Sequence, residues 1–461
     1  MKLKYAFSFS YIFLFFLSLA SESYELISVI LLCLIILSIL YKLGSGILMP
    51  EAISLFYVFT CLLMPIVGYN FYTQDYFMSR LFRRYMQVPE SVYFSYALPA
   101  LILFTAVLTF PYLGKNINDT GVSLYNQIDR IKSYLKTHKQ VGALIMLVGA
   151  MELVFGGIFP QSMRFFFDIF FFSAFAGLLM IYFSDNTKYK LVLIPAFLSL
   201  VLYKALQSSM FTVVAYMTLA MSSFFFIGNK TGFIKKIIIF FVGCFFILVL
   251  QNTKMAYRKI VRIGSGTAQV SDFIAIAQQQ FLNPTNFFQV KEFYPLYVRF
   301  NQGFNVSLVM KRMPAAVPFD EGDMVKKSLL ASIAPRFLWP DKPMAGGQFN
   351  MKYYAGITIQ NYSTNVGPLG EAYGAFGVLG GILTMGFVAL FIRFAYYRVW
   401  RLANTYPIMM LWLPVIFYQA TYSAENDILQ ILNSIIKTAA FLWLVSKVQP
   451  KWFGIVKDKR R

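Results

Sequence analysis

The sequence predicts an all-α, polytopic integral membrane protein, with about twelve transmembrane helices and one long helical outer loop. Three observations carry this. The 461 residues are 58% hydrophobic and 18% aromatic, and the mean hydropathy is +0.61. Charged residues make up 13%, against about 25% in soluble domains. Apolar runs close to the roughly 20 residues that a spanning helix needs recur along the chain.

The chain opens with Lys2 and Lys4 and an apolar run that ends at Ala20. Ser18-Leu19-Ala20 resembles a signal-peptidase site, but a second apolar run follows at once, so an uncleaved first span is expected. Spans are expected near 6–21, 25–41, 51–70, 92–113, 140–159, 165–184, 188–204, 207–228, 233–251, 372–397, 405–422 and 427–446. All should be helices, because lipid offers backbone groups no water. The chain then divides into nine spans with short loops over 1–250 and a long outer loop over 251–366. Three more spans occupy 367–447, and a basic tail occupies 448–461.

Lys and Arg in the short loops set the orientation. Lys42, Lys115, Arg130, Lys136, Lys188, Lys235, Arg398 and the tail fall on one side; the opposite short loops carry few, chiefly Arg80, Arg83 and Arg84. Both termini are therefore expected in the cytoplasm, with 251–366 outside, facing the periplasm of a double-membraned bacterium. The formal net charge is +21. No compact basic soluble domain exists to hold nucleic acid, so positive-inside topology and an anionic ligand account for the excess. Cys33, Cys61 and Cys244 lie in apolar runs without metal spacing. The single histidine, His138, falls in a cytoplasmic loop. No metal or other cofactor is implied; Asp320-Glu321-Gly322-Asp323 reads as a solvated acidic turn.

The outer interval is rich in Arg, Lys, Tyr and Pro. It should begin as a continuation of the ninth span, with Lys254, Arg258 and Arg262 a turn apart on one face. A helix is expected over Phe293–Lys311, with Tyr297, Phe300, Phe304 and Leu308 as its apolar stripe. Pro335, Pro340 and Pro343 break any helix between them.

Two runs in this region carry a resemblance: Pro335-Arg336-Phe337-Leu338-Trp339-Pro340-Asp341-Lys342-Pro343 and Gly370-Glu371-Ala372-Tyr373-Gly374-Ala375-Phe376-Gly377. Tyr257-Arg258 and Arg299-Phe300-Asn301-Gln302-Gly303 lie upstream. Together they resemble the O-antigen polymerases, the Wzy-type oligosaccharide repeat-unit polymerases, over roughly a third of the chain. The resemblance implies a glycosyltransferase similar to the GT-C class. It would act outside the inner membrane on undecaprenyl-diphosphate-linked oligosaccharide, alongside membrane lipids and a chain-length regulator protein. The related O-antigen ligases, and a non-enzymatic flippase or exporter of the same lipid-linked sugars, are the alternatives.

A polyprenyl-diphosphate donor needs positive charge where the leaving group builds negative charge. Arginine suits this, because its planar fork bonds two oxygens and stays charged. Candidate diphosphate contacts are Arg258, Arg299 and Arg336, backed by Lys254, Arg262, Arg312 and Lys342. The acceptor hydroxyl needs a base or a fixed hydrogen-bond acceptor. Glu371, a carboxylate at the membrane boundary, and Asp341 are the candidates, with Arg336 beside them in the catalytic set. A helix-terminal charge held by backbone amides is the alternative reading of Glu371. Trp339 and Tyr373 are candidates for stacking on sugar.

Overall fold

The chain is seen in a computed structural model that describes residues 2–70, 78–111, 122–155, 164–208, 212–228, 232–263, 270–285, 289–334, 338–360 and 364–455. Among these the structure is helical, with no β-strand. The apolar first half forms α1 (Lys2–Ala20), α2 (Tyr24–Lys42), α3 (Met49–Asn70) and α4 (Glu90–Thr109). Then follow α5 (Val122–Thr137), α6 (Val141–Phe155), α7 (Arg164–Phe183), α8 (Thr187–Ser208), α9 (Thr212–Phe226) and α10 (Phe233–Ile263). Residues 251–366 supply α11 (Val270–Leu282), α12 (Val290–Phe300), α13 (Gly303–Arg312) and α14 (Asp323–Ile333). The chain finishes with α15 (Gly367–Thr405) and α16 (Ile428–Val448).

Among the described residues, six helices are long and apolar enough to cross a membrane: α2, α3, α4, the 233–257 part of α10, α15 and α16. Shorter apolar helices lie near other expected spans, at Tyr5–Ala20, Val141–Glu152, Phe167–Phe183, Tyr216–Phe226 and Pro407–Ile416. This is a helical membrane protein. Its centre and rim differ in burial. In α3 and α4, 67% of the apolar window is buried inside the protein, against 6% in α10. The exposed Phe241, Val242 and Phe246 of α10 have hydrocarbon as their natural neighbour.

Helix α3 widens into a π-helical turn at Phe59–Leu63, and Pro65 accounts for what that turn binds. Proline has no N–H. The Cys61 carbonyl, four residues earlier, instead accepts from the Tyr93 hydroxyl at 2.7 Å. In the π register the Thr60 carbonyl would also have faced Pro65. It accepts from the Gln302 backbone N–H at 3.1 Å, which ties the 251–366 interval to the central helix.

Three expected elements differ. The helix expected over Phe293–Lys311 is two helices, because Asn301 leaves helical geometry (φ −77°, ψ 80°) and its Oδ1 accepts from Phe304 N at 3.2 Å. The expected span 372–397 starts earlier, at Gly367, and folds sharply at Gly377 (φ 67°, ψ −154°). A Cβ at Gly381 would lie 3.2 Å from the Ala372 carbonyl carbon, whereas nine residues of straight helix span about 13.5 Å. Residues 367–376 and 378–405 are therefore two arms of a V. Tyr96 touches both: its hydroxyl donates to Leu369 O at 2.6 Å, and its ring packs on Gly381. The second arm follows α4 down to Arg393, which donates to Val107 O and Pro111 O.

The expected span 405–422 is not one helix. It is a series of short turns, Pro407–Trp412, Leu413–Ile416, Tyr418–Thr421 and Ser423–Glu425. Pro407 and Pro414 withhold helical donors. Leu411, Trp412, Leu413 and Phe417 are fully buried, so the broken backbone is shielded by protein, as membrane depth requires.

Candidate functional site

The broken segment ends in Glu425-Asn426-Asp427-Ile428, and four parts of the chain converge there. Arg299, in the last turn of α12, meets Glu425 with both forks: Nη1 to Oε1 and Nη2 to Oε2, each 2.8 Å. Their side chains are 32% and 13% exposed, so the pair is held against the protein rather than in bulk water. Glu425 raises the Arg299 guanidinium's already high pKa; it stays charged.

Glu371 lies on the first arm of α15 and is 4% exposed. Its two oxygens accept from the Ile428 N–H at 3.2 and 3.4 Å, the first backbone donor of α16. Asn350 Nδ2 donates to Oε1 at 3.3 Å. A carboxylate against a helix N-terminus is favoured by the helix dipole. Asp427 caps the same helix in a reciprocal box with Gln430. Its Oδ2 also accepts from Gly346 N at 2.7 Å and Asn365 Nδ2 at 3.1 Å. Burial pushes the Asp427 carboxyl above the usual range, and the donors from Gln430, Gly346 and Asn365 oppose that rise.

Asn305 on α13 extends this web. Its amide donates to Gln302 Oε1 at 3.0 Å, Thr364 Oγ1 at 2.8 Å and Asn365 O at 2.8 Å. Gly347 must be glycine here, since a Cβ would lie 1.6 Å from Thr364 O. The segments on either side of 350–364 are pressed together and held between α13, α15 and α16.

Among the sequence candidates, Arg299 and Glu371 reach this four-residue stretch. Lys342 lies elsewhere in the loop: its Nζ donates to Ala331 O and Ala334 O, each at 3.0 Å, capping the end of α14 as a cation favours. Arg312 bonds Lys352 O and Tyr353 O at 3.2 and 3.3 Å. Tyr373 is 6% exposed, its ring packed between Tyr96 and Phe319. Asp341 is exposed and Trp339 half-buried. Lys254 is buried on α10, which runs on past the expected ninth span as one helix. Arg336 and the side chains of Arg258 and Arg262 lie outside the described residues.

The acidic turn is a structured one. Asp320 accepts from Gly322 N at 2.9 Å, Met324 N at 3.4 Å and the Tyr354 hydroxyl at 3.2 Å. Among the described residues, no group of three or more His, Cys, Asp or Glu side chains gathers as a metal site would need.

Sequence reasoning missed Glu425, Asp427, Asn305, Asn350 and Asn365 as parts of this site. One signal was present: Asp427 three residues before Gln430, at the start of an apolar run, is a capping-box pattern. The asparagines gave none, since only the fold brings 305, 350 and 365 together.

The arrangement supplies a guanidinium whose bidentate partner is a carboxylate, the same geometry a phosphate presents. Three residues along from Glu425, at Ile428, it supplies the buried carboxylate of Glu371, whose oxygens can accept a hydrogen bond.

Residues 58–400 match a family described as a domain of unknown function, DUF8712. The matched range includes Arg299 and Glu371 and stops short of Glu425–Ile428. No curated protein and no solved structure matches the chain.

Proposed function

The chain belongs to the DUF8712 family, whose description assigns no activity, and from its own residues we propose that it is a Wzy-type polysaccharide polymerase. It spans the bacterial inner membrane about twelve times with both termini in the cytoplasm. It joins undecaprenyl-diphosphate-linked repeat units at the periplasmic face. One observation carries the reading: Arg299 and Glu371, from two separate family-like stretches, converge on Glu425–Ile428.

The acceptor hydroxyl attacks the anomeric carbon of the donor, and the bond to the diphosphate oxygen breaks. Arg299, exchanging Glu425 for phosphate oxygens, stabilises the departing undecaprenyl diphosphate. Glu371 orients the hydroxyl and takes its proton. Arg336, Arg258 and Arg262 add positive charge from the same outer interval.

In a strain lacking this protein, single capped repeat units should accumulate. The wild-type gene should restore the long ladder, and Glu371→Gln should not. A full ladder from Glu371→Gln would remove Glu371 from the mechanism.

A second reading has one observation in its favour. The broken, buried backbone over 407–425 resembles the discontinuous helices at which transporters bind cargo. A flippase of the same lipid-linked sugars would move them without lengthening the glycan.

A further inference from the structure

Part of the 251–366 interval turns back along the rim helix. Helix α11 packs against α10, and two ring contacts fix their register. Tyr257 meets Phe273 with centroids 5.6 Å apart, and Phe245 meets Phe281 at 5.3 Å. Residue numbers fall along one helix as they rise along the other, so the two run antiparallel. Phe245 lies about 18 Å along α10 from Tyr257, in the middle of the apolar 233–257 stretch that is long enough to cross a membrane. Pro284, just past α11, lines an apolar recess with Phe245 and Leu248 of that stretch and with Phe59 and Met64 of α3. The far end of α11 therefore sits at the depth of two spanning helices.

The surface of α11 fits that depth. Phe281 and Leu282 are 57% and 79% exposed, and they follow Gln278-Gln279-Gln280. Halfway between the two ring contacts, Ala277 of α11 comes about level with Gln251 of α10. The polar run on one helix thus begins beside Gln251 and Asn252 on the other, a band that suits the boundary between lipid and water, with Phe281 and Leu282 beyond it. The helix end leaves few bare backbone groups, as lipid requires. Asn283 gives its backbone N–H and its Nδ2 to Gln279 O at 3.2 and 3.1 Å, and Pro284 has no N–H to satisfy.

We infer that the end of α11, from Phe281 to Pro284, re-enters the membrane and that acyl chains of one leaflet cover its exposed side. The 251–366 interval is then held in lipid, whereas its length and polarity in the sequence suggest a loop lying wholly in water. Hydrocarbon is the occupant because Val242 and Phe246, within a turn of Phe245, are exposed at the same depth, where a spanning helix meets lipid. The depth rests on the contacts with α10 and α3. That the leaflet is the outer one rests on the orientation with both termini in the cytoplasm.

The test places single nitroxide labels on the full chain in lipid nanodiscs, with Cys33, Cys61 and Cys244 replaced. Labels go on Leu282→Cys, Ile274→Cys and Asp341→Cys, with Phe246→Cys as the lipid-facing reference. Collision with dissolved oxygen reports hydrocarbon, and collision with a water-soluble nickel chelate reports water. Oxygen should dominate at Leu282 as it does at Phe246, the order should reverse at Asp341, and Ile274, at the start of α11, should fall between. Phe281→Cys repeats the reading one residue back should Leu282→Cys lower the unfolding midpoint. Dominance of the chelate at both positions overturns the inference. So does low collision with both reagents, which means that a second copy of the chain, not lipid, covers the helix. Maleimide labelling of Asp341→Cys from outside decides the leaflet separately: an inverted topology would sink the outer-leaflet assignment, and with it the periplasmic polymerase, and leave the re-entry standing.

Discussion

At the scale of single residues, the Arg299–Glu425 pair and Glu371 bear the account. Arg299→Ala leaves Glu425 half-buried without its partner and should cost about 2 kcal/mol of stability. The double variant with Glu425→Ala should cost less than the sum of the singles, a coupling that detergent unfolding curves measure. Arg299→Lys keeps charge but loses the fork, so polymer formation should fall about tenfold with little loss of fold. Asp427 and Asp320 make stability depend on pH. Burial raises both carboxyls, so the folded protein holds protons that the unfolded chain has released. Stability should therefore be greatest on the acid side and fall as pH rises from about 4 through the raised values. Asp427→Asn should make that fall shallower; an unchanged pH profile of the unfolding midpoint would remove Asp427 as its source.

At the scale of elements, the fold at Gly377 places Glu371. Its backbone angles lie where a Cβ is strained, so Gly377→Ala should cost about 1–3 kcal/mol. It should also disturb polymerisation, by opening the V that sets Glu371 against Ile428. Gly374→Ala tests the same arm from its other side, since a Cβ there would lie 2.4 Å from the Tyr354 ring. Apolar length and periodicity made the helices legible in the sequence, including the run of α10 beyond its span. They did not reveal the turn at Gly377, which tertiary packing imposes, or the breaks over 407–425, where Pro407 and Pro414 were a local signal hidden within a continuous apolar run. Gly377 looks like any glycine of an apolar helix until Phe319 is seen beside it. The split at Asn301 was hidden for a similar reason, since Tyr297, Phe300, Phe304 and Leu308 keep helical spacing across it. Within the site, Arg299 and Glu371 were legible from charge, membrane depth and resemblance. Their partners were not, since the capping-box pattern at Asp427 marks only a helix start and Glu425 carries no local signal.

At the scale of the whole molecule, a buried centre of α3, α4 and α15 meets a lipid-facing rim represented by α10. The Thr60–Gln302 bond, made possible by Pro65, joins the 251–366 interval to that centre. The orientation argument is directly testable in a background with Cys33, Cys61 and Cys244 replaced. Asp341→Cys should react with a membrane-impermeant maleimide applied from outside, and Lys139→Cys only after permeabilisation. The reverse pattern would invert the topology and place the site on the wrong face for a periplasmic polymerase.

The most direct measurement of the central claim is glycan length in detergent, where no bilayer remains to cross. Purified protein given undecaprenyl-diphosphate-linked repeat units should yield a ladder of products, and Glu371→Gln and Arg299→Lys should sharply reduce it. Unextended single units from the folded wild-type protein, or an equal ladder from both variants, would contradict the account.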